Sequence, residues 1–259
     1  MTSLQDLRIL NPRAAHQANP LTKVIERHGG ISVELPLIHI KMTSNMEPVR
    51  HKLRSLTEYD WVVFTSVNSI RFLLQALAKD HIERDILMEK QIAVVGEKTE
   101  QFLIEAGLKA DLVPHTYDAE HLAQELKKKL SDGEKVFFPR GNLARNVIVY
   151  ELTQAGIDID EVIIYETGIN EEAEKGLHSL IIKNQLDVVL FTSPSTVRAF
   201  FSLIKKSVKS QFQDEVTFAV IGTVTANELR KHGVTKMIIP NEYTIEGMME
   251  ALKQNFTMN

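Results

Sequence analysis

The chain has 259 residues, 44% of them apolar and 25% charged, a formal net charge of −4 and no cysteine. This is ordinary globular composition, enough for one large or two ordinary domains. The slight acidity argues against nucleic-acid binding through a basic surface, and the missing cysteines remove disulfides and thiolate chemistry. The opening MTSLQDLRILNPR lacks the apolar core of a signal peptide, and no apolar run approaches a membrane span. A cytoplasmic protein with no membrane partner is expected.

In chain order, the spacing predicts strands near 8–11, 32–38, 60–65, 91–95 and 111–113, alternating with helices near 17–28, 47–56, 67–79, 97–106 and 119–130. The segment 59–77, YDWVVFTSVNSIRFLLQAL, shows the logic. A short β-rich apolar run suits a strand buried on both faces. Ile70, Leu73, Leu74 and Leu77 then mark one helical face. Between them lies a hydroxyl-rich turn. Gly29-Gly30, Gly107, Gly156 and Gly233 follow helices, where a left-handed residue is wanted.

The same pattern returns. A shift of 127 residues carries Phe64, Thr65, Ser66 and Arg71 onto Phe191, Thr192, Ser193 and Arg198. A shift of 126 carries Gly96, Thr99, Gly107, Pro114 and Tyr117 onto Gly222, Thr225, Gly233, Pro240 and Tyr243. Pro12-Arg13 lands on Pro139-Arg140. Such a period is too long for a solenoid and suits a duplicated domain. Strand–helix alternation with five strands per copy predicts an α/β protein of two flavodoxin-like parallel-sheet domains. In such sheets ligands bind beyond the carboxyl ends of the strands, which here carry Arg13, Thr65-Ser66, Gly96, Arg140, Thr192-Ser193 and Gly222.

The turns have a physical use. The first N–H groups of a helix lack intrahelical partners and carry partial positive charge. Ser, Thr or Asn beside them can cap the helix or bind an anion. Capping alone accounts for either turn by itself, whereas two related turns in one chain shift the weight towards a shared ligand. Other motifs are missing. Val95-Gly96-Glu97-Lys98-Thr99 does not have P-loop spacing, no G-x-G-x-x-G follows a strand, and the nine histidines form no metal-ligand pattern. Glu171–Glu174 reads as a solvated linker or helix start, and Lys127-Lys128-Lys129 as a solvated helix end. One position breaks the repeat: Ile38 maps to Tyr165, a phenol at a strand end. A half-buried tyrosine with a wet hydroxyl is the ordinary explanation.

Taken together, Pro12-Arg13, FTSVNSIRF, VVGEKTEQFLIEAGL, FPRGNLAR, IIYET, FTSPSTVRAF, FAVIGTVTANELRKHG and YTIEGM make the chain resemble the uroporphyrinogen-III synthase family over essentially its whole length. Order and spacing carry the resemblance more than any single motif. Many members read Thr-Arg-Pro where this chain reads Asn11-Pro12-Arg13.

The resemblance implies cyclisation of hydroxymethylbilane, a linear tetrapyrrole with eight carboxylates, to uroporphyrinogen III. Ring D is inverted and water is lost, with no metal or organic cofactor. It implies substrate contacts at Thr65, Ser66, Asn68, Ser69, Gly96, Thr99, Arg140, Asn142, Ser193, Ser195, Thr196, Gly222, Thr223 and Thr225, with Tyr165 as the catalytic acid. It implies two lobes facing across a cleft: one domain from 1–36 plus 171–259, another from 39–168, and linker strands near 36–39 and 168–171. A monomer is expected, with a small-molecule substrate and no nucleic-acid partner. A non-catalytic two-lobed binding protein for a small polyanion, and a scaffold that uses the same fold, stay open at this point. Turnover of the bilane to the type III isomer separates them.

Overall fold

A computed structural model of the protein describes residues 4–204, 212 and 215–257. The chain divides into two compact units, Met1–Ile40 with Gly168–Asn259, and Lys41–Thr167. The boundaries fall inside two strands, β3 (Ile38–Met42) and β7 (Asp158–Ile169), so each strand begins in one unit and ends in the other.

The first unit contains β1 (Arg8–Asn11), α1 (Ala15–Arg27) and β2 (Ile31–Glu34) from the start of the chain. From the later part it takes α7 (Glu174–Ile182), β8 (Val188–Phe191), α8 (Pro194–Leu203), β9 (Thr217–Val220), α9 (Thr223–Lys231) and α10 (Ile245–Thr257). Its sheet has the order β2-β1-β8-β9, and each pair is parallel. Successive strand side chains point to opposite faces. Leu10, Val189, Phe191 and Phe218 therefore join the core beneath α7, α8 and α9, while Ile9, Val188, Leu190 and Ala219 join the core beneath α1 and α10. Both strand faces are buried, which is why the strands are apolar without alternation.

The second unit contains α2 (Met46–Arg54), β4 (Trp61–Phe64), α3 (Val67–Lys79), β5 (Gln91–Val94), α4 (Glu97–Glu105), α5 (Ala119–Lys129), β6 (Lys135–Gly141) and α6 (Val147–Gln154). Its sheet order is β3-β7-β6-β4-β5, with parallel pairing from β7 to β5. Trp61, Val63, Val136 and Phe138 meet Leu122, Leu126, Ile148 and Leu152 of α5 and α6. Their neighbours Val62, Phe64 and Phe137 are fully buried on the other face.

Element bounds correspond between the units. A shift of 127 carries β4 onto β8 and the start of α3 onto the start of α8. A shift of 126 carries β5 onto β9 and α4 onto α9. Gly29, Gly107, Gly156 and Gly233 follow helices with φ of +86°, +78°, +76° and +87°, the left-handed region.

Two strand expectations are corrected. The strand expected over 32–38 is two strands, β2 and β3, because Pro36 between them offers no N–H to a ladder. The strand expected at 111–113 shrinks to a single parallel bridge, Ala93 to Leu112, which Pro114 terminates; Ile238 bridges Ala219 in the same way before Pro240.

An acid pins the parallel strands at their starts. Asp60 accepts the backbone N–H of Lys135 at 2.8 Å, and Asp187 accepts that of Arg8 at 2.7 Å. Asp187 also takes both arms of the Arg8 guanidinium, at 2.9 and 2.7 Å. The Arg8 hydrogen bonds hold the Asp187 carboxyl below its ordinary value. A depressed folded-state pKa gives stability that is complete above the unfolded value of about 3.9 and is lost as pH falls through the folded value. Asp187→Asn is therefore expected to lower stability to urea at about pH 7, with a difference from the wild type that shrinks at about pH 3. A constant difference at both pH values contradicts the assignment.

Candidate active site

In the second unit the candidate residues gather where strands end and helices begin. Thr65 leaves β4, and Ser66 is the N-cap of α3. Ser66 Oγ accepts the Ser69 N–H at 3.1 Å, and Ser69 Oγ donates to the Ser66 carbonyl at 2.7 Å. Ser69 is fully buried, and Asn68 Oδ1 is buried without a hydrogen-bond partner. The capping role foreseen for this turn is thus present, in a reciprocal form.

Tyr165 lies beside this turn. Its hydroxyl is 3.0 Å from Ser66 Oγ, and its ring stacks on Phe72 with centroids 5.5 Å apart. The ring occupies the space above Gly141, where a Cβ would lie 2.4 Å from the Tyr165 ring carbon Cζ. A register shift between Arg140 and Gly141 brings Gly141 opposite Tyr165. Burial raises the phenol pKa above its ordinary value, and the Ser66 hydrogen bond acts in the opposite direction. The phenol is protonated at neutral pH.

Arg140 and Asn142 face inward demands that strand-end position alone does not reveal. The Arg140 side chain is almost wholly buried, with Nη1 at 2.5 Å from Asn146 Oδ1 and 2.6 Å from Glu161 Oε2, and Nη2 at 3.0 Å from the Ala144 carbonyl. Its Nε is buried and unpartnered. The Asn142 amide extends the β6–β7 ladder: its Oδ1 accepts the Thr167 N–H at 2.9 Å and its Nδ2 donates to the Thr167 carbonyl at 3.3 Å. A cavity of about 400 Å³ is lined by Arg140, Glu161, Glu166 and Thr43.

Gly96 caps α4 without a side chain, and Thr99 is buried two positions into the helix from Glu97. A Cβ on Gly96 would lie 2.9 Å from Tyr117 Cγ. Glycine is needed there for that close approach.

The first unit repeats the turns without the phenol. Ser193 caps α8 through the Thr196 N–H, and Thr196 Oγ1 donates to the Ser193 carbonyl at 2.8 Å. Ser193 Oγ meets Ser195 Oγ at 2.9 Å. Gly222 caps α9, Thr223 is exposed at its first position and Thr225 is buried. A Cβ on Gly222 would lie 3.0 Å from the Tyr243 ring. Arg13, after β1, is partly buried, and desolvation lowers its pKa.

The helix starts are not equivalent. The first turns of α3, α8 and α9 carry no acid, so their N–H groups attract anions without opposition. That of α4 carries Glu97 and Glu100, which offset the dipole. Sequence reasoning missed Tyr117 and Tyr243 as covers of the capping glycines, although both lie on the 126-residue repeat. It also missed the seat formed by Phe72 and Gly141, for which the sequence offered no signal.

The fold and turns define an α/β protein with parallel sheets and anion-receptive strand ends. The family model described as uroporphyrinogen-III synthase HemD matches residues 19–250. A putative uroporphyrinogen-III synthase of Methanothermobacter thermautotrophicus is 31% identical over 247 residues, covering 93% of this chain and 95% of the relative. The uroporphyrinogen-III synthase of Chlorobaculum parvum is 29% identical, covering 95% and 99%. The porphyrin biosynthesis protein HemD of Ruminiclostridium josui is longer: the match covers 95% of this chain and 48% of that protein, at 29% identity. A crystal structure of a mutant uroporphyrinogen III synthase from Thermus thermophilus superposes with a TM-score of 0.67 at 18% identity, covering 98% of this chain and all of that one. The chain belongs to the uroporphyrinogen-III synthase family, cyclising hydro-lyases of porphyrin biosynthesis. These relatives do not favour a non-catalytic binding module.

The glycine covers yield a test. Gly96→Ala pushes the Tyr117 side chain outward; because that ring is 60% exposed and can yield, the loss is expected at the low end for overpacking, about 1 kcal/mol. In a Tyr117→Ala background the same change is expected to be close to neutral, as read by urea denaturation. Equal losses in both backgrounds refute the contact.

Proposed function

We propose that this chain closes hydroxymethylbilane to uroporphyrinogen III, with Tyr165 as the acid that protonates the leaving hydroxyl. Substrate carboxylates are received by N–H groups and hydroxyls at helix starts, among them Thr65, Asn68, Ser195 and Thr223, with the buried Thr99 and Thr225 shaping the turns behind the glycine caps. The single observation that carries the reading is the Tyr165 phenol, held by Ser66, Phe72 and Gly141 beside the start of α3. We infer further that the two sheets are copies of one flavodoxin-like unit. The coincidence of β4 with β8 and of α4 with α9 under a nearly constant shift supports this.

The chemistry balances. The phenol proton passes to the terminal hydroxyl oxygen, the C–O bond breaks, and water leaves as the pyrrole nitrogen supplies electrons. The electrophilic carbon is then attacked by the substituted carbon of ring D to give a spirocyclic pyrrolenine. The bond from that carbon to the ring C methylene breaks, the methylene rejoins at the free α-carbon of ring D, and the proton that this carbon loses on restoring the aromatic ring returns to the phenolate. Because an electron-rich pyrrole expels hydroxide readily, the larger task is orientation: folding the bilane so that attack occurs at the substituted carbon.

Assay of purified bilane tests the reading directly: type III product identifies the enzyme, and type I alone refutes it. Tyr165→Phe is expected to fold and still make type III, with turnover reduced roughly ten- to a thousand-fold. Since burial raises the phenol pKa, the acid stays protonated through neutral pH, and activity falls only as pH climbs through the raised value. Wild-type turnover in Tyr165→Phe removes the phenol from the mechanism. Thr99→Ala combined with Thr225→Ala is expected to release type I isomer alongside type III; a pure type III product contradicts their positioning role.

A further inference from the structure

The Ser66 hydroxyl has more to do than cap a helix. Its oxygen accepts the Ser69 N–H at 3.1 Å and stands 3.0 Å from the Tyr165 hydroxyl. The Ser69 proton is already committed to the Ser66 carbonyl at 2.7 Å. The Ser66 proton is therefore free to be given to Ser69 Oγ, 3.0 Å away, or to the phenol oxygen. If the phenol oxygen accepts it, the phenol proton must point elsewhere. The α3 cap then also supplies a donor to the oxygen that becomes anionic once that proton is passed on.

The other unit provides an internal contrast. Ser193, the counterpart of Ser66, makes the same cap, but its Oγ meets Ser195 Oγ at 2.9 Å. The position matching Tyr165 is Ile38. The cap is common to both turns, and the contact with a phenol belongs to one. Around that contact the ring is immobilised by Phe72, 7% exposed, and by Gly141, where any Cβ would collide with it.

We propose that Ser66 is a positioning residue for the Tyr165 phenol: by donating to the phenol oxygen it turns the phenol proton towards the substrate and stabilises the phenolate left behind. This rests on the reading of Tyr165 as the acid. It assigns Ser66 to the phenol and not to a substrate carboxylate.

The purified protein and its Ser66→Ala, Ser66→Asp, Ser66→Thr and Tyr165→Phe variants are compared with hydroxymethylbilane as probe. Asp keeps a side-chain acceptor for the cap but cannot donate when ionised. Thr keeps both functions. Loss of one hydrogen bond to a developing anion predicts a kcat fall of about ten-fold in Ser66→Ala, with KM nearly unchanged. Ser66→Asp falls at least as far while its melting temperature stays near that of the wild type, and Ser66→Thr recovers most of the activity. In the Tyr165→Phe background, Ser66→Ala has no further effect on kcat.

The inference is overturned by an equal loss in both backgrounds, or by a rise in KM with kcat intact, which marks a substrate contact. A second measurement separates it from the acid reading. Ultraviolet titration of the tyrosinate band, taken as the difference between proteins with and without the Tyr165 hydroxyl, is expected to move to higher pH in Ser66→Ala. No movement overturns the inference whatever the activity. Wild-type turnover in Tyr165→Phe overturns the acid reading instead.

Discussion

Everything proposed for this protein depends on one constraint: a parallel strand that turns directly into a helix leaves the first helical N–H groups without intrahelical partners. The fold meets that demand at four matched places. At α3 and α8 a serine side chain accepts one N–H, and a buried hydroxyl three residues on returns a hydrogen bond to the serine carbonyl. At α4 and α9 a glycine sits in the cap with no side-chain acceptor, and a tyrosine ring lies against it. Each serine turn satisfies one of its donors with a side chain, whereas the glycine turns have no side-chain acceptor to offer theirs. The glycine turns are therefore the more economical places to hold a carboxylate, and α9, with no acid in its first turn, is the stronger of the two.

The legible and the hidden features divide along physical lines. The starts of α3 and α4 and the bounds of β4 and β5 could be read because apolar period, cap and turn agree locally at Ser66 and Gly96. The strand expected over 32–38 failed at Pro36, and the one at 111–113 shrank against Pro114: both are losses of a single N–H, which apolar run length cannot register. Long-range engagement was hidden. Arg140 stands at a strand end, as expected of a ligand-binding arginine, yet its guanidinium serves Glu161, Asn146 and Ala144. Asn142 likewise spends its amide on Thr167. In both cases the partner comes from a neighbouring strand or loop, and no one-dimensional pattern names it.

Departure from the repeat was more informative than the repeat itself. Matching turns describe how a sheet hands over to its helices, and both units solve that problem alike. Replacement of Ile38 by Tyr165 adds a hydroxyl to one of them only, and the surroundings accommodate it: Gly141 clears the space, Phe72 supports the ring and Ser66 meets the oxygen. The sequence showed the added hydroxyl; only the structure shows that a cap residue 99 positions away was already placed to receive it.

The proposed chemistry also explains why a phenol suits this position better than a carboxylic acid or an imidazole. A substrate crowded with carboxylates raises the cost of any further negative charge nearby and holds an imidazole in its charged form. A buried phenol is neutral before the reaction at every physiological pH, so it adds no charge to the ground state. Its anion exists only after the proton has moved. At that moment the oxygen is next to the Ser66 hydroxyl at the head of α3, a helix with no acid in its first turn. The favourable dipole and the donated hydrogen bond then act on the charged state far more than on the neutral one, and interactions of that kind lower a barrier without tightening substrate binding.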